Sequence, residues 1–172
     1  MKKYVLRTLI VFLLCKLSMG AKTDNYLLLR SSEEASCPLY DSTRLCVIDT
    51  LKHDFQNENY IMLRVDSNYE DMIYVEPIWT LGFLYESTPH KKGWIYLSED
   101  IIIFPHDDIF PLYAKPSYTS DSIVVDGTYS ELQVLKYNNG WIYTVAHDTI
   151  GGEFAGWLPP LHQCANPYTT CN

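Results

Sequence analysis

No uninterrupted apolar run in this 172-residue chain approaches the roughly 20 residues that a membrane-spanning helix needs. The longest, Leu9-Ile10-Val11-Phe12-Leu13-Leu14-Cys15, is broken by Lys16. A basic excess is missing too: 13 Lys and Arg face 21 Asp and Glu, for a formal net charge of −8. Nucleic-acid phosphates demand the opposite sign, and so does an anionic lipid surface. There is no Gly-rich phosphate loop. No cysteine pair has the tight spacing of a structural zinc site. No stretch longer than about ten residues sustains a helical period built from good helix formers. What the chain has in quantity is tyrosine, 14 residues of it.

The first twenty residues have the pattern of a secretory leader. Lys2, Lys3 and Arg7 precede the apolar run, and Ser18-Met19-Gly20 supplies small residues before a cut ahead of Ala21. Secretion, or release into a periplasm, is therefore expected. A lipoprotein site at Cys15 is disfavoured by the bulk of Leu14. Loss of the leader leaves 9 Lys and Arg against 21 Asp and Glu, a net charge near −12, which suits solubility in an exposed compartment. Four cysteines then remain, Cys37, Cys46, Cys164 and Cys171, and an oxidising compartment favours disulfides between them. Loop entropy favours the local pairs Cys37–Cys46 and Cys164–Cys171. A crossed arrangement that ties the N-terminal segment to the C-terminal tail is the alternative.

Between the cysteine pairs, short runs rich in β-branched and aromatic residues alternate with turn residues. Tyr60-Ile61-Met62-Leu63-Arg64-Val65, Met72-Ile73-Tyr74-Val75, Ile123-Val124-Val125 and Trp141-Ile142-Tyr143-Thr144-Val145 are examples. Asp66-Ser67-Asn68, Asp126-Gly127 and Asn138-Asn139-Gly140 supply turns. The fold class expected is all-β. Two internal similarities compete as marks of a duplication. Gly-Trp-Ile-Tyr occurs at residues 93–96 and 140–143, whereas Pro-Leu-Tyr occurs at 38–40 and 111–113. The second register is preferred. From each Pro-Leu-Tyr follow a polar loop, an aliphatic strand, a longer strand, a tight turn, an aromatic-containing strand and a closing Gly-Trp, at Gly93-Trp94 or Gly156-Trp157. Met72 then stands where the second copy has Trp141, and Trp79 in an insertion from Glu76 to Lys92 supplies replacement aromatic volume.

The second copy resembles the bacterial SH3-like (SH3b) domain, a small barrel of secreted and cell-wall proteins. The resemblance is carried by Leu112-Tyr113-Ala114-Lys115-Pro116-Ser117, Ile123-Val124-Val125-Asp126-Gly127-Thr128, Leu132-Gln133-Val134-Leu135, Asn139-Gly140-Trp141-Ile142-Tyr143-Thr144-Val145 and Gly156-Trp157-Leu158. It covers residues 111–160. The family's opening Asn-Val-Arg string is replaced here, so its loop function does not transfer. The resemblance implies two tandem SH3-like barrels, with Trp141 and Trp157 filling the second core. The expected layout is a leader at 1–20, an N-terminal extension at 21–36 and a divergent barrel with insertion at 37–100. A short apolar connecting segment at 101–110, packed as a strand or crossover, a second barrel at 111–160 and a cysteine-containing tail at 161–172 complete it.

Catalytic chemistry has little to stand on. His106-Asp107-Asp108 and His147-Asp148 are the best metal candidates, and each fits a solvated loop better. The SH3-like barrels of secreted proteins often accompany a cysteine endopeptidase, for which two barrels and a tail leave no residues. No enzyme activity and no cofactor are expected. Tyrosine offers wide contact area at low rotamer cost, and Tyr113, Tyr118 and Tyr143 are the candidate ligand-binding residues. The resemblance implies a cell-envelope partner such as cell-wall peptide or glycan. A secreted inhibitor or protein–protein interaction module is the alternative.

Overall fold

Short β-branched and aromatic runs punctuated by turn residues become strands throughout. The computed structural model describes residues 25–57, 59–81, 84–88, 90–127 and 130–164; the expected leader and Cys171 lie outside them. The fold is all-β, and among the described residues the helical pieces are 3-10 turns at Phe55–Asn57 and Pro160–His162. The strands are β1 (Asn25–Leu29), β2 (Cys37–Tyr40), β3 (Val47–Leu51), β4 (Tyr60–Tyr69), β5 (Met72–Leu81), β6 (Leu84–Ser87) and β7 (Gly93–Tyr96). They continue with β8 (Ile101–Pro105), β9 (Ile109–Tyr113), β10 (Ser122–Asp126), β11 (Leu132–Gln133) and β12 (Lys136–Asn138). The last are β13 (Trp141–His147), β14 (Glu153–Leu158) and β15 (Gln163–Cys164).

The strand order repeats. Across the larger, curled sheet, β4-β5-β7-β2-β3 are consecutive neighbours, and the five-stranded sheet runs β12-β13-β14-β9-β10. The registers agree residue by residue. Tyr74 faces Trp94, which faces Tyr40; in the second sheet Tyr143 faces Trp157, which faces Tyr113. Pro-Leu-Tyr therefore opens equivalent strands, and Gly93-Trp94 occupies the place of Gly156-Trp157. Gly-Trp-Ile-Tyr does not mark the repeat, since its copies lie on β7 and β13, which are not equivalent. The glycines explain why the closing pair recurs. A Cβ on Gly93 would lie 2.6 Å from the Tyr40 carbonyl oxygen and 2.8 Å from Leu39 Cγ. One on Gly156 would lie 2.9 Å from Leu112 Cβ and 3.1 Å from the Tyr113 carbonyl oxygen. At both places a strand crosses too close to Pro-Leu-Tyr for any side chain.

Each repeat also has a leading strand, β1 before β2 and β8 before β9. These two pair antiparallel with each other, Leu28 facing Ile102 and Leu29 facing Ile101. The extension and connecting segment expected from the sequence thus hold equivalent strands at the junction of the repeats. A second stitch comes from residues 132–138. Its first part, β11, pairs with β8 in the larger sheet, while β12 pairs with β13 in the smaller one. At the crossing the buried Thr144 hydroxyl donates to the Gln133 carbonyl over 2.8 Å, satisfying a polar group that would otherwise be stranded in the core. One apolar cluster runs through both repeats, from Leu27, Leu39 and Ile95 to Leu112, Ile142 and Leu158. Trp79 packs against its edge.

Two expectations need correction. The closing tryptophans, Trp94 and Trp157, do not fill the core, and the central Trp141, though buried, lies outside the common cluster. In each Gly-Trp-Ile-Tyr copy it is isoleucine, Ile95 or Ile142, that is fully buried in the common cluster. Strand alternation then turns Trp94, Trp141 and Trp157 to the opposite face. Cys37 and Cys46 are both free thiols. Cys37 faces Leu51 across the β2–β3 pair, five residues along from Cys46. At ~3.3 Å per residue that is about 17 Å, more than twice the reach of a disulfide. Cys37 is instead a core residue whose thiol is pushed up to about 12, by burial first and by the nearby Asp100 carboxylate second. Cys164 is disulfide-bonded; its expected partner, Cys171, lies outside the described residues.

One half-buried histidine, His53, ties the first repeat together. The Ile61 N–H donates to His53 Nδ1 at 2.9 Å, which leaves the ring proton on Nε2, 3.0 Å from the carbonyls of Leu29 and Arg30. The ring lies edge-on to Phe55 and Tyr60. Burial, the largest influence, holds its pKa below the ordinary histidine value despite the two carbonyls. The unfolded chain therefore takes up this proton first, at about pH 6.5. Stability from His53 is complete above that pH and is lost as pH falls below it. Urea midpoints measured from pH 8 to 5 should decline more steeply for the native chain than for His53→Gln. Parallel profiles would show that His53 carries no linked proton.

Candidate functional site

Alternation that sends Leu112, Val125, Ile142 and Leu158 into the core must send their neighbours out. On the outer face of the five-stranded sheet this creates a cross-strand row: Lys136 beside Tyr143, Tyr143 beside Trp157, Trp157 beside Tyr113. The Tyr143 and Trp157 ring centroids are 5.4 Å apart at 63°, an edge-on contact. The Lys136 ammonium lies 5.5 Å from the Tyr143 ring centroid, within cation–π range. Adjacent strands stand about 4.8 Å apart, so the row presents a new side chain at each step across the sheet.

Below one end of this row lies a denser cluster. Trp141 follows the Asn139-Gly140 turn, where φ values of 48° and 88° give the paired left-handed residues of a tight hairpin. Its ring contacts Tyr113 at 5.4 Å and Tyr118 at 4.8 Å. Trp141 is 8% exposed, yet it does not belong to the common core cluster; the two tyrosines cover it from outside. Tyr118, on the β9–β10 turn, is more than half exposed. Its hydroxyl keeps its proton more firmly than a free phenol, first through partial desolvation and then through the neighbouring Tyr113. It remains a hydrogen-bonding group at any physiological pH. Beyond Tyr113 the same face continues with Ile109 and Val124, 58% and 68% exposed.

The structure therefore brings Tyr113 and Tyr118 together and sets Tyr143 on the same face, separated from Tyr113 by Trp157. Trp141 and Trp157 belong with these tyrosines, although their apolar character argues for core. The signal that places them was present: Ile142 and Leu158 cannot be buried unless their tryptophan neighbours point outward.

The first repeat has the equivalent row, Tyr74–Trp94–Tyr40, with Tyr74 and Trp94 rings 5.3 Å apart. Tyr96 packs edge-on against Tyr40 at 5.4 Å. Here the capping group differs. Arg44, at φ 63° in the β2–β3 turn, lays its guanidinium 3.9 Å above the Tyr69 ring and 5.4 Å from Trp94.

His106 lies 3.2 Å from Asp107, and His147 is paired in register with Glu153 across the β13–β14 hairpin. Among the described residues no three His, Cys, Asp or Glu side chains converge as metal ligands. Among the same residues no helix is long and apolar enough to cross a membrane. What the outer faces offer chemically is π surface, hydroxyls and a few charges at their margins. Comparison of the chain with protein-family models, with curated proteins and with solved structures gave no match of any kind.

Proposed function

We propose that this chain is a secreted, non-enzymatic binding protein with tandem SH3-like repeats, whose second repeat holds a cell-envelope ligand, cell-wall peptide or glycan. The observation that carries this reading is the outward aromatic face made by Tyr113, Tyr118, Tyr143 and Trp157, with Tyr113 and Tyr118 backed by the buried Trp141. A monomeric soluble protein rarely leaves such a face contiguous unless something covers it. Rigid aromatic side chains lose little rotamer freedom on contact, and their rings take apolar faces while tyrosine hydroxyls meet polar groups. Acidic net charge favours a neutral or cationic ligand over a phosphate-rich one.

Co-sedimentation with purified peptidoglycan tests the proposal. Retention of the native chain is expected, with at least about a tenfold loss in Tyr113→Ala/Tyr118→Ala, as removal of central aromatic anchors brings. No retention of the native chain would remove the wall ligand. Retention unchanged by the double substitution would move the site off this face. The exposed Ile109 and Val124 on the β9–β10 edge favour a second reading, a protein partner docked at the sheet edge.

A further inference from the structure

The two repeats differ at one equivalent place, the first residue after the hairpin turn that joins β4 to β5 and β12 to β13. In the second repeat that residue is Trp141, paired in register with Asn138 and roofed by Tyr118. In the first it is Met72, paired with Tyr69, and the β2–β3 turn presents Arg44 where the β9–β10 turn presents Tyr118. A slim thioether in place of an indole leaves space. A pocket of about 310 Å³ lies there, lined by Arg44, Tyr69, Met72 and Tyr96 with the acidic pair Glu70 and Asp71. Leu45 beside it is 82% exposed, an apolar lip with no intramolecular cover.

We infer that this pocket is a docking socket for one aromatic side chain of a partner polypeptide, flanked in that partner by basic residues. The shape argument is internal to the molecule: the same backbone frame in the second repeat is completed by an indole. The chemistry agrees. A guanidinium pairs favourably with aromatic rings, and Arg44, held 3.9 Å above Tyr69 and 5.4 Å from Trp94, brings that cation to the pocket wall. Left-handed backbone at Arg44 and at Glu70, φ 63° and 52°, holds both turns in conformations that non-glycine residues seldom adopt. Glu70, Asp71 and the net charge of −8 favour a basic surround over an acidic one. This inference is independent of the ligand proposed for the second repeat.

The test is titration of the peptide Ac-Lys-Trp-Lys-NH2 into the ¹⁵N-labelled full chain, followed by amide shifts. Saturable shifts are expected at residues 43–45, 69–72 and 96, with none from Ac-Lys-Ala-Lys-NH2. Ac-Glu-Trp-Glu-NH2 should bind several-fold more weakly, since rim charges contribute modestly. Met72→Trp fills the socket from within and is expected to abolish the shifts. Arg44→Ala leaves both sheets untouched and should weaken binding about fivefold by removing the stacking cation. Absence of saturable shifts would overturn the inference. So would shifts centred on Tyr113 and Trp157, or undiminished binding by Arg44→Ala and a folded Met72→Trp chain. Equal binding of the acidic peptide would overturn the assignment of a basic flank.

Discussion

Gly93→Ala is expected to cost about 3 kcal/mol of stability, the upper part of the range for overpacking a rigid site. The new methyl would meet the Tyr40 carbonyl oxygen at 2.6 Å and Leu39 Cγ at 2.8 Å. Neither can retreat cheaply. Tyr40 is held by pairing with Val47 on one side and Trp94 on the other, and Leu39 is fully buried in the common core. Gly151 provides the control. It has φ 90°, and a methyl added there would meet nothing within 4 Å, so Gly151→Ala costs only the backbone strain, about 1–2 kcal/mol. Urea unfolding of both variants separates close approach from conformational strain. Equal costs would mean that β7 does not lie hard against β2.

Ile95→Ala and Ile142→Ala should each lose about 3–4 kcal/mol, as deletion of a fully enclosed isoleucine does when its surroundings relax little. Both side chains are 0% exposed and belong to the cluster shared by the two repeats. Tyr96→Ala, by contrast, removes a side chain that is 48% exposed, and its cost should stay below about 1 kcal/mol. The ordering carries the meaning. If Gly-Trp-Ile-Tyr were a core motif by virtue of its aromatics, Tyr96 and Trp94 would dominate and Ile95 would matter less. Denaturant midpoints for the three variants decide between the two orientations of the strand.

The strands were legible because their β-branched and aromatic runs stand between turn residues, and the repeat was legible from Pro-Leu-Tyr to Gly-Trp. The outward tryptophans were harder. Apolar character argues for burial, whereas alternation around Ile142 and Leu158 argues the reverse, and only alternation is tied to backbone geometry. Tyr113 and Tyr118 could be singled out because they flank the opening loop of the second copy. Their partner Trp141 comes from a hairpin more than twenty residues later, and no local pattern joins them. The Cys37–Cys46 pairing failed because separation along the chain was counted, while a hairpin measures distance across the register. Sheet switching between β11 and β12 left no local mark either. Leu132 to Tyr137 reads as one strand, and its division depends on β8, some thirty residues earlier.

The order of strands across the larger sheet also orders events in time. A chain emerging during synthesis presents β1 and β8 well before β11 exists, at about 5–20 residues per second. For those seconds β8, with its run Ile101-Ile102-Ile103, has no partner along the side that Leu132 and Gln133 later occupy. An unpaired apolar strand edge is a template for any neighbouring chain. The larger sheet therefore cannot be finished before about half of the second repeat has been made, and that interval is when this protein is most exposed to the wrong partner.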